Sequence, residues 1–126
     1  MRRPSNKELF GKLRDAKEAV RNANVFLIDQ EAIAEDAIEL GYDIGGELLD
    51  VLSELLSETS LTHYAGSRPP QRSYKEEIEG LELFAFVVDS TRSKCRVYFK
   101  FALVEESLWL VSLHPNRPIQ ESSWKR

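Results

Sequence analysis

Two proton-transfer side chains and two cationic side chains lie late in the sequence, on segments that alternate polar and apolar residues. Tyr98 is flanked at two-residue spacing by Arg96 and Lys100, and His114 ends the next alternating segment. Residues two apart on a β-strand point to the same face of the sheet. We therefore expect the phenol and both cations to share one strand face, with the imidazole on a neighbouring strand.

These residue types are the ones that metal-independent cleavage of RNA requires. In that reaction the 2′-hydroxyl attacks the adjacent phosphate, so a base, an acid and cations for the phosphate charge are needed. Histidine serves as acid or base near neutrality, tyrosine donates a proton, and Arg and Lys hold phosphate oxygens. DNA lacks the 2′-hydroxyl and is therefore expected to be a poor substrate.

A second interpretation of the same residues stays open. Polar side chains on one face of an amphipathic strand are commonly just its solvated side. The chain would then be a non-catalytic module that uses this sheet face to bind a protein or an RNA.

The turn between the last two strands decides whether Tyr98 and His114 meet. We predict strands over residues 95–104 and 108–114. A two-residue turn at 105–106 would place Phe101 beside Leu110, but also Tyr98 beside Leu113.

We adopt a three-residue turn at 105–107, because it groups the large apolar side chains. Its apolar pairs are Leu103 with Trp109, Phe101 with Val111, and Phe99 with Leu113. This register sets Tyr98 opposite His114, and Lys100 opposite Ser112. Cys95 falls on the core-facing side, away from His114, so a Cys–His nucleophilic pair is not expected.

Helix signals fill the first half of the chain. Ser5 followed by Glu8 forms a capping box before a helical repeat of apolar residues. Asp29 is expected to cap a second helix, which Gly41 ends, and Asp43 is expected to cap a third. Residues 25–28 form either a buried strand or a packed connection.

The order of elements indicates the fold class. Residues 65–73 contain adjacent prolines and are expected to form a loop with Arg68 and Arg72 exposed. Strand composition follows between residues 79 and 89. Because helices precede strands, we predict an α+β fold with N-terminal helices packed on a small C-terminal antiparallel sheet. Residues 1–114 would form one domain, and residues 115–126 a polar C-terminal tail.

Composition limits the class of protein. No apolar run approaches the ~20 residues that span a bilayer, and the N-terminus lacks the apolar core of a signal peptide. The single cysteine fits a reducing compartment, so we expect a cytoplasmic protein with no membrane contact. With two histidines and one cysteine in the chain, no metal site of the usual spacing is expected, and no cofactor is called for.

Charge is distributed unevenly along the chain. Residues 1–23 hold seven Lys/Arg and three acids, residues 24–63 hold ten acids and no Lys or Arg, and residues 64–126 hold ten basic residues and eight acids. The C-terminal part could attract a polyanion locally, whereas the middle would repel one. The acidic stretch is either a solvated helical face or a surface for a partner with basic side chains.

Four segments resemble the MqsR family of type II toxin–antitoxin ribonucleases. They are residues 34–43 (AEDAIELGYD), 56–58 (LSE), 97–101 (VYFKF) and 110–114 (LVSLH). The resemblance runs from about residue 34 to residue 114, apart from a poorly matched stretch between residues 62 and 80. It implies a RelE-like fold, metal-independent cleavage of mRNA, and neutralisation by a cognate antitoxin protein.

The resemblance also suggests roles for individual residues. Tyr98 falls on the family's active-site tyrosine, and His114 falls where a family member has a lysine. His63 lines up with another lysine of the family's site, although a shift of two residues would align Ala65 instead. The family's active-site glutamine has no counterpart in the predicted strand, and Gln71 is a candidate to replace it. Tyr98, His114 and His63 are therefore the predicted catalytic residues, and Arg96, Lys100, Arg68 and Arg72 the predicted phosphate ligands.

Overall fold

Three α-helices make up the first half of the chain in the computed structural model, which describes residues 5–66 and 70–116. The helices are α1 (Asn6–Arg21), α2 (Gln30–Leu40) and α3 (Ile44–Glu58). The predicted caps are confirmed: the side chains of Ser5, Asp29 and Asp43 each accept a backbone N–H at the start of a helix. Gly41 ends α2 in the left-handed conformation, with φ of 83°, which glycine adopts without steric cost.

The sheet has four strands, in the order β1–β4–β3–β2. They are β1 (Val25–Leu27), β2 (Phe84–Ser90), β3 (Cys95–Val104) and β4 (Ser107–Pro115). The α+β class with N-terminal helices is confirmed. The C-terminal strands β2, β3 and β4 pair antiparallel, as predicted. Strand β1, which lies between α1 and α2 in the chain, adds a parallel pairing with β4, so the whole sheet is mixed. Parallel strands need a long crossover connection, which usually contains a helix. Here α2 and α3 lie between β1 and the other strands in the chain.

One face of the sheet is covered by the helices and forms the main core. The strands contribute Phe84, Phe86, Val88, Val97, Phe99, Phe101, Leu108, Leu110 and Leu113, and all are buried. The helices contribute Leu9, Leu13, Ile33, Ala37, Val51, Leu52, Leu55 and Leu56. Burying one such side chain stabilises the fold by roughly 1.5–3 kcal/mol. The sheet is thereby held as a rigid platform for the side chains on its other side.

The opposite side of the sheet, which we call the outer face, is only partly covered. The segment before β2 folds over one end of it, where Ile78 and Leu83 bury Ala102. Trp109 and Val111 pack against this second cluster. The prediction that Trp109 and Val111 face the main core is therefore wrong. The other end of the outer face carries Tyr98 and His114.

A β-bulge in β4 explains both the success and the failure of the predicted register. Near the turn, Phe101 pairs with Leu110; beyond it, Lys100 pairs with Ser112. Val111 is the extra residue. The turn has two residues and not the predicted three, yet the bulge restores Tyr98 to its place opposite His114.

The turn itself carries backbone strain that a glycine should relieve. Glu105 has a φ of 54°, a left-handed conformation that costs an L-residue roughly 1–2 kcal/mol. We expect Glu105→Gly to raise the free energy of unfolding by about 0.5–1 kcal/mol. Urea denaturation measures this change, and Glu106→Gly, at a turn position without positive φ, is the matched control. Equal effects of the two substitutions would contradict the strain.

An ion-pair cluster ties the β2–β3 turn to α3. The Arg92 guanidinium lies 2.9 Å from carboxylate oxygens of both Glu47 and Glu54. Part of the acidic stretch therefore meets a basic partner within the same chain. Cys95, next to this turn, is exposed, so its predicted core-facing position is wrong. The first residue of β3 lies beyond the edge of the main core, which β3 enters at Val97.

Tyr42 is a buried phenol between α2 and α3. It is 7% exposed, and its hydroxyl has no hydrogen-bond partner among the described residues. Burial, reinforced by the nearby Asp36 carboxylate, raises the pKa of Tyr42 to about 12. The neutral phenol is therefore strongly favoured in the folded state.

We expect the free energy of unfolding to fall by roughly 2–3 kcal/mol between pH 10 and pH 12 on account of Tyr42. Below pH 10 the phenol is neutral in both states; above it the unfolded phenol ionises first. Tyr42→Phe should remove this part of the alkaline loss. At neutral pH it should raise the free energy of unfolding by at most about 1 kcal/mol, because the buried hydroxyl has no partner to lose. Denaturation across this pH range measures both, with Tyr74→Phe, at an exposed tyrosine, as control. An unchanged alkaline loss in Tyr42→Phe would contradict the assignment.

None of the helices in the described part of the chain has the length and apolarity needed to cross a membrane.

Candidate active site

Tyr98 and His114 form a stacked pair on the outer face. They are direct cross-strand partners on β3 and β4. Their ring centroids lie 5.0 Å apart and the ring planes are inclined by 17°. Both side chains are half-buried. The predicted convergence of the phenol and the imidazole on one face of the sheet is confirmed.

The hydrogen bond of His114 defines which nitrogen can act as a base. Its Nδ1 atom lies 2.8 Å from the carbonyl oxygen of Pro115. A carbonyl oxygen only accepts hydrogen bonds, so Nδ1 carries the proton and donates it. In the neutral ring Nε2 then holds the lone pair. His114 is therefore arranged to accept a proton at Nε2.

Tyr98 is arranged for the opposite task. Burial raises the pKa of its phenol above the ordinary value of 10.0, because desolvation disfavours the phenolate. The hydroxyl therefore remains protonated throughout the neutral range. A phenol in this state donates a hydrogen bond or a proton and does not act as a base.

The predicted cations differ in how they are placed. Lys100 lies on the same face as Tyr98, opposite Ser112, and is half-buried. Arg96 shares that face, but its Nε lies 3.3 Å from a carboxylate oxygen of Asp89 on β2. The neighbouring carboxylate offsets its charge. Lys100 is thus the better placed of the two to meet a phosphate near the stacked pair.

Of the two predicted loop arginines, the structure describes only Arg72. Arg72 is exposed, as expected, and its Nη1 donates to the Gly80 carbonyl oxygen at 2.8 Å. It also lines a crevice of about 70 Å³ together with Lys100 and Gln71. The candidate glutamine thus lies beside the site. Arg68 lies outside the described residues, as does the predicted tail from residue 117; Pro115 belongs to β4.

His63 lies in a different environment from His114. It closes a short 3-10 turn (Leu61–His63), and its Nδ1 accepts the Ser60 backbone N–H at 2.9 Å. The next residue, Tyr64, bridges to Phe86 on β2. Strand β2 therefore separates His63 from Tyr98. The structure gives His63 a capping role, and its part in catalysis stays a prediction.

Sequence reasoning named Arg72 and Gln71 in the loop before β2 but missed Tyr74 and Lys75. Tyr74 and Lys75 line the same crevice as Lys100, although no periodicity connects that loop to the sheet. A signal was present in the clustering of Arg72, Tyr74 and Lys75, an aromatic residue between cations. Within residues 5–66 and 70–116, no three His, Cys, Asp or Glu side chains are grouped as metal ligands would be.

The fold and this face define an α+β protein whose sheet carries an imidazole, a protonated phenol and a lysine side by side on one face. Comparison with family models finds no match, and comparison with curated proteins finds none either. The resemblance to the MqsR family therefore remains a prediction from the four segments quoted above.

Proposed function

We propose that this chain is a metal-independent endoribonuclease that cleaves mRNA, acting as the toxin of a type II toxin–antitoxin pair in the cytoplasm. The observation that carries the proposal is the stacked Tyr98–His114 pair, with Lys100 on the same face. The resemblance to the MqsR family supports the biological setting and the antitoxin partner. The site chemistry supports the reaction.

The proposed reaction uses each group in the protonation state described above. Nε2 of His114 takes the proton of the 2′-hydroxyl as its oxygen forms a bond to the adjacent phosphorus. The bond from phosphorus to the 5′-oxygen breaks, and the Tyr98 hydroxyl gives its proton to that leaving oxygen. The products are a 2′,3′-cyclic phosphate and a 5′-hydroxyl. Solvent then returns a proton to Tyr98 and removes one from His114.

Lys100 supplies the electrostatic part of the proposed mechanism. Negative charge builds up on the non-bridging phosphate oxygens as the 2′-oxygen attacks. A lysine on the same face, two residues from Tyr98, can place its ammonium against those oxygens. Arg96 contributes less, because Asp89 already pairs with it.

A cleavage assay with purified protein tests the proposal. We expect single-stranded RNA to be cut in the presence of EDTA, with cyclic phosphate ends, and the matched DNA strand to stay intact. Tyr98→Phe removes only the hydroxyl and keeps the stacked ring, and should slow cleavage roughly 100-fold. A requirement for a divalent metal would contradict the mechanism.

Induced expression in bacteria tests the biological role. The wild-type chain should arrest growth with loss of mRNA, and Tyr98→Phe should relieve the arrest. Co-expression of the cognate antitoxin should also relieve it. Harmless wild-type expression, with no cleavage by the purified protein, would instead favour the non-catalytic binding module.

A further inference from the structure

The loop over residues 71–75 presents an aromatic ring to solvent beside the candidate active site. Tyr74 is 82% exposed, more than any other large apolar side chain in the described part of the chain. Arg72 and Lys75 flank it and are exposed as well. An aromatic ring this exposed contributes almost nothing to the core, so its face is available to a ligand.

The loop is held firmly in place. Ser73 is buried, with its backbone N–H donating to Leu81 and its carbonyl accepting from Gly80. The Gln71 carbonyl accepts the backbone N–H of Leu83 at 2.7 Å. Tyr74 is therefore displayed from an ordered segment, and a ligand that contacts its ring would not have to order the loop first.

The same loop reaches the outer face of the sheet. Tyr74, Lys75 and Arg72 line the crevice of about 70 Å³ that also contains Lys100. Lys100 is two residues from Tyr98 along β3, a distance of roughly 7 Å on the same face. A nucleic-acid strand with one phosphate at Tyr98 and His114 would bring its neighbouring nucleotide to this crevice.

We propose that Tyr74 is a stacking platform for one unpaired base of a single-stranded RNA, next to the phosphate that is cut. This inference rests on the proposed function and deepens it by naming the strandedness of the substrate. A base can stack on the ring only when it is free of a duplex. Lys75 and Arg72 hold the adjoining phosphate, next to the one that Lys100 contacts. Glu76 and Glu77 follow in a short 3-10 helix (Glu76–Ile78), so stacking on the ring, and not the net charge of the segment, accounts for the preference for unpaired bases.

Binding of a non-cleavable strand tests the inference apart from catalysis. The probe is a short fluorescent 2′-O-methyl RNA strand, which cannot attack its own phosphates, and the readout is anisotropy. Tyr74→Ala should weaken binding about 10-fold or more, whereas Tyr74→Phe should bind like the wild type. Phe10→Ala, which removes an exposed aromatic ring from α1, is the control and should leave affinity unchanged.

Each outcome separates the inference from the proposed function. Loss of affinity in Tyr74→Ala alone supports the platform, even if the wild type never cuts RNA. Equal affinity of Tyr74→Ala and the wild type, or no binding by the wild type, overturns it. If cleavage by the wild type persists alongside equal affinities, the endoribonuclease stands without the platform. The same 2′-O-methyl strand annealed to its complement is the second probe. If Tyr74→Ala weakens binding of the duplex as much as binding of the single strand, the inference is also overturned, because a paired base cannot stack on the ring.

Discussion

Replacement of His114 by alanine is expected to lower the rate of RNA cleavage at least 100-fold, on the order of the effect of a general base. The reason is local: Nδ1 donates to the Pro115 carbonyl, so Nε2 is the nitrogen that takes the proton. Single-turnover cleavage of a labelled RNA measures the rate. Circular dichroism should show an unchanged fold, since His114 lies outside the main core.

Two substitutions serve as controls for this result. His114→Asn keeps a donor for the Pro115 carbonyl but removes the base, and should be as slow as the alanine variant. His63→Ala removes the other histidine, whose Nδ1 accepts from Ser60, and should cost about 1 kcal/mol of stability with a much smaller effect on rate. Equal rate losses for His63 and His114 would contradict the assignment of the general base to His114 alone.

The largest expected effect on stability comes from Phe86. It is completely buried, stacks on Phe99 and Phe101, and meets Tyr64 edge to face. We expect Phe86→Ala to lower the free energy of unfolding by about 3–5 kcal/mol, because a cavity replaces a ring at the centre of the core. The whole free energy of unfolding of a small domain is roughly 5–15 kcal/mol, so this single substitution removes a large part of it. Urea denaturation monitored by circular dichroism measures the loss.

Phe10 provides the matched control for the core substitution. It is the same residue type, but it is 62% exposed on α1. Phe10→Ala should change the free energy of unfolding by no more than about 0.5 kcal/mol. A loss in Phe86→Ala as small as that of the control would show that the strand faces are assigned wrongly. It would also remove the basis for placing Tyr98 opposite the core.

Local chemistry accounts for the parts of the fold that were predicted correctly. Each helix start was marked by a side chain that can accept a backbone N–H, as at Asp29 and Asp43. The end of α2 was marked by Gly41, where a positive φ is needed. These signals act over three or four residues, so they can be interpreted without knowledge of the rest of the chain.

The candidate site was predicted partly for a sound reason and partly through compensating errors. The two-residue alternation on β3 correctly placed Arg96, Tyr98 and Lys100 on one face. The pairing of Tyr98 with His114 was correct, although the turn has two residues and not three. Val111, the bulge residue, makes up the difference. The bulge leaves Leu110 in the main core and Val111 against the second cluster on the outer face, a division between two clusters that the alternation along one strand does not encode.

The amino-acid sequence by itself determined the starts of the helices, the end of α2, the α+β order and the face that Tyr98 shares with Lys100. These features depend on neighbours along the chain. Only the tertiary structure decided that β1 joins β4 in parallel, that Trp109 lies on the outer face, and that the Tyr74 loop reaches Lys100. The physical reason is distance in sequence. Such contacts form between segments tens of residues apart, and they depend on how two apolar clusters share one sheet.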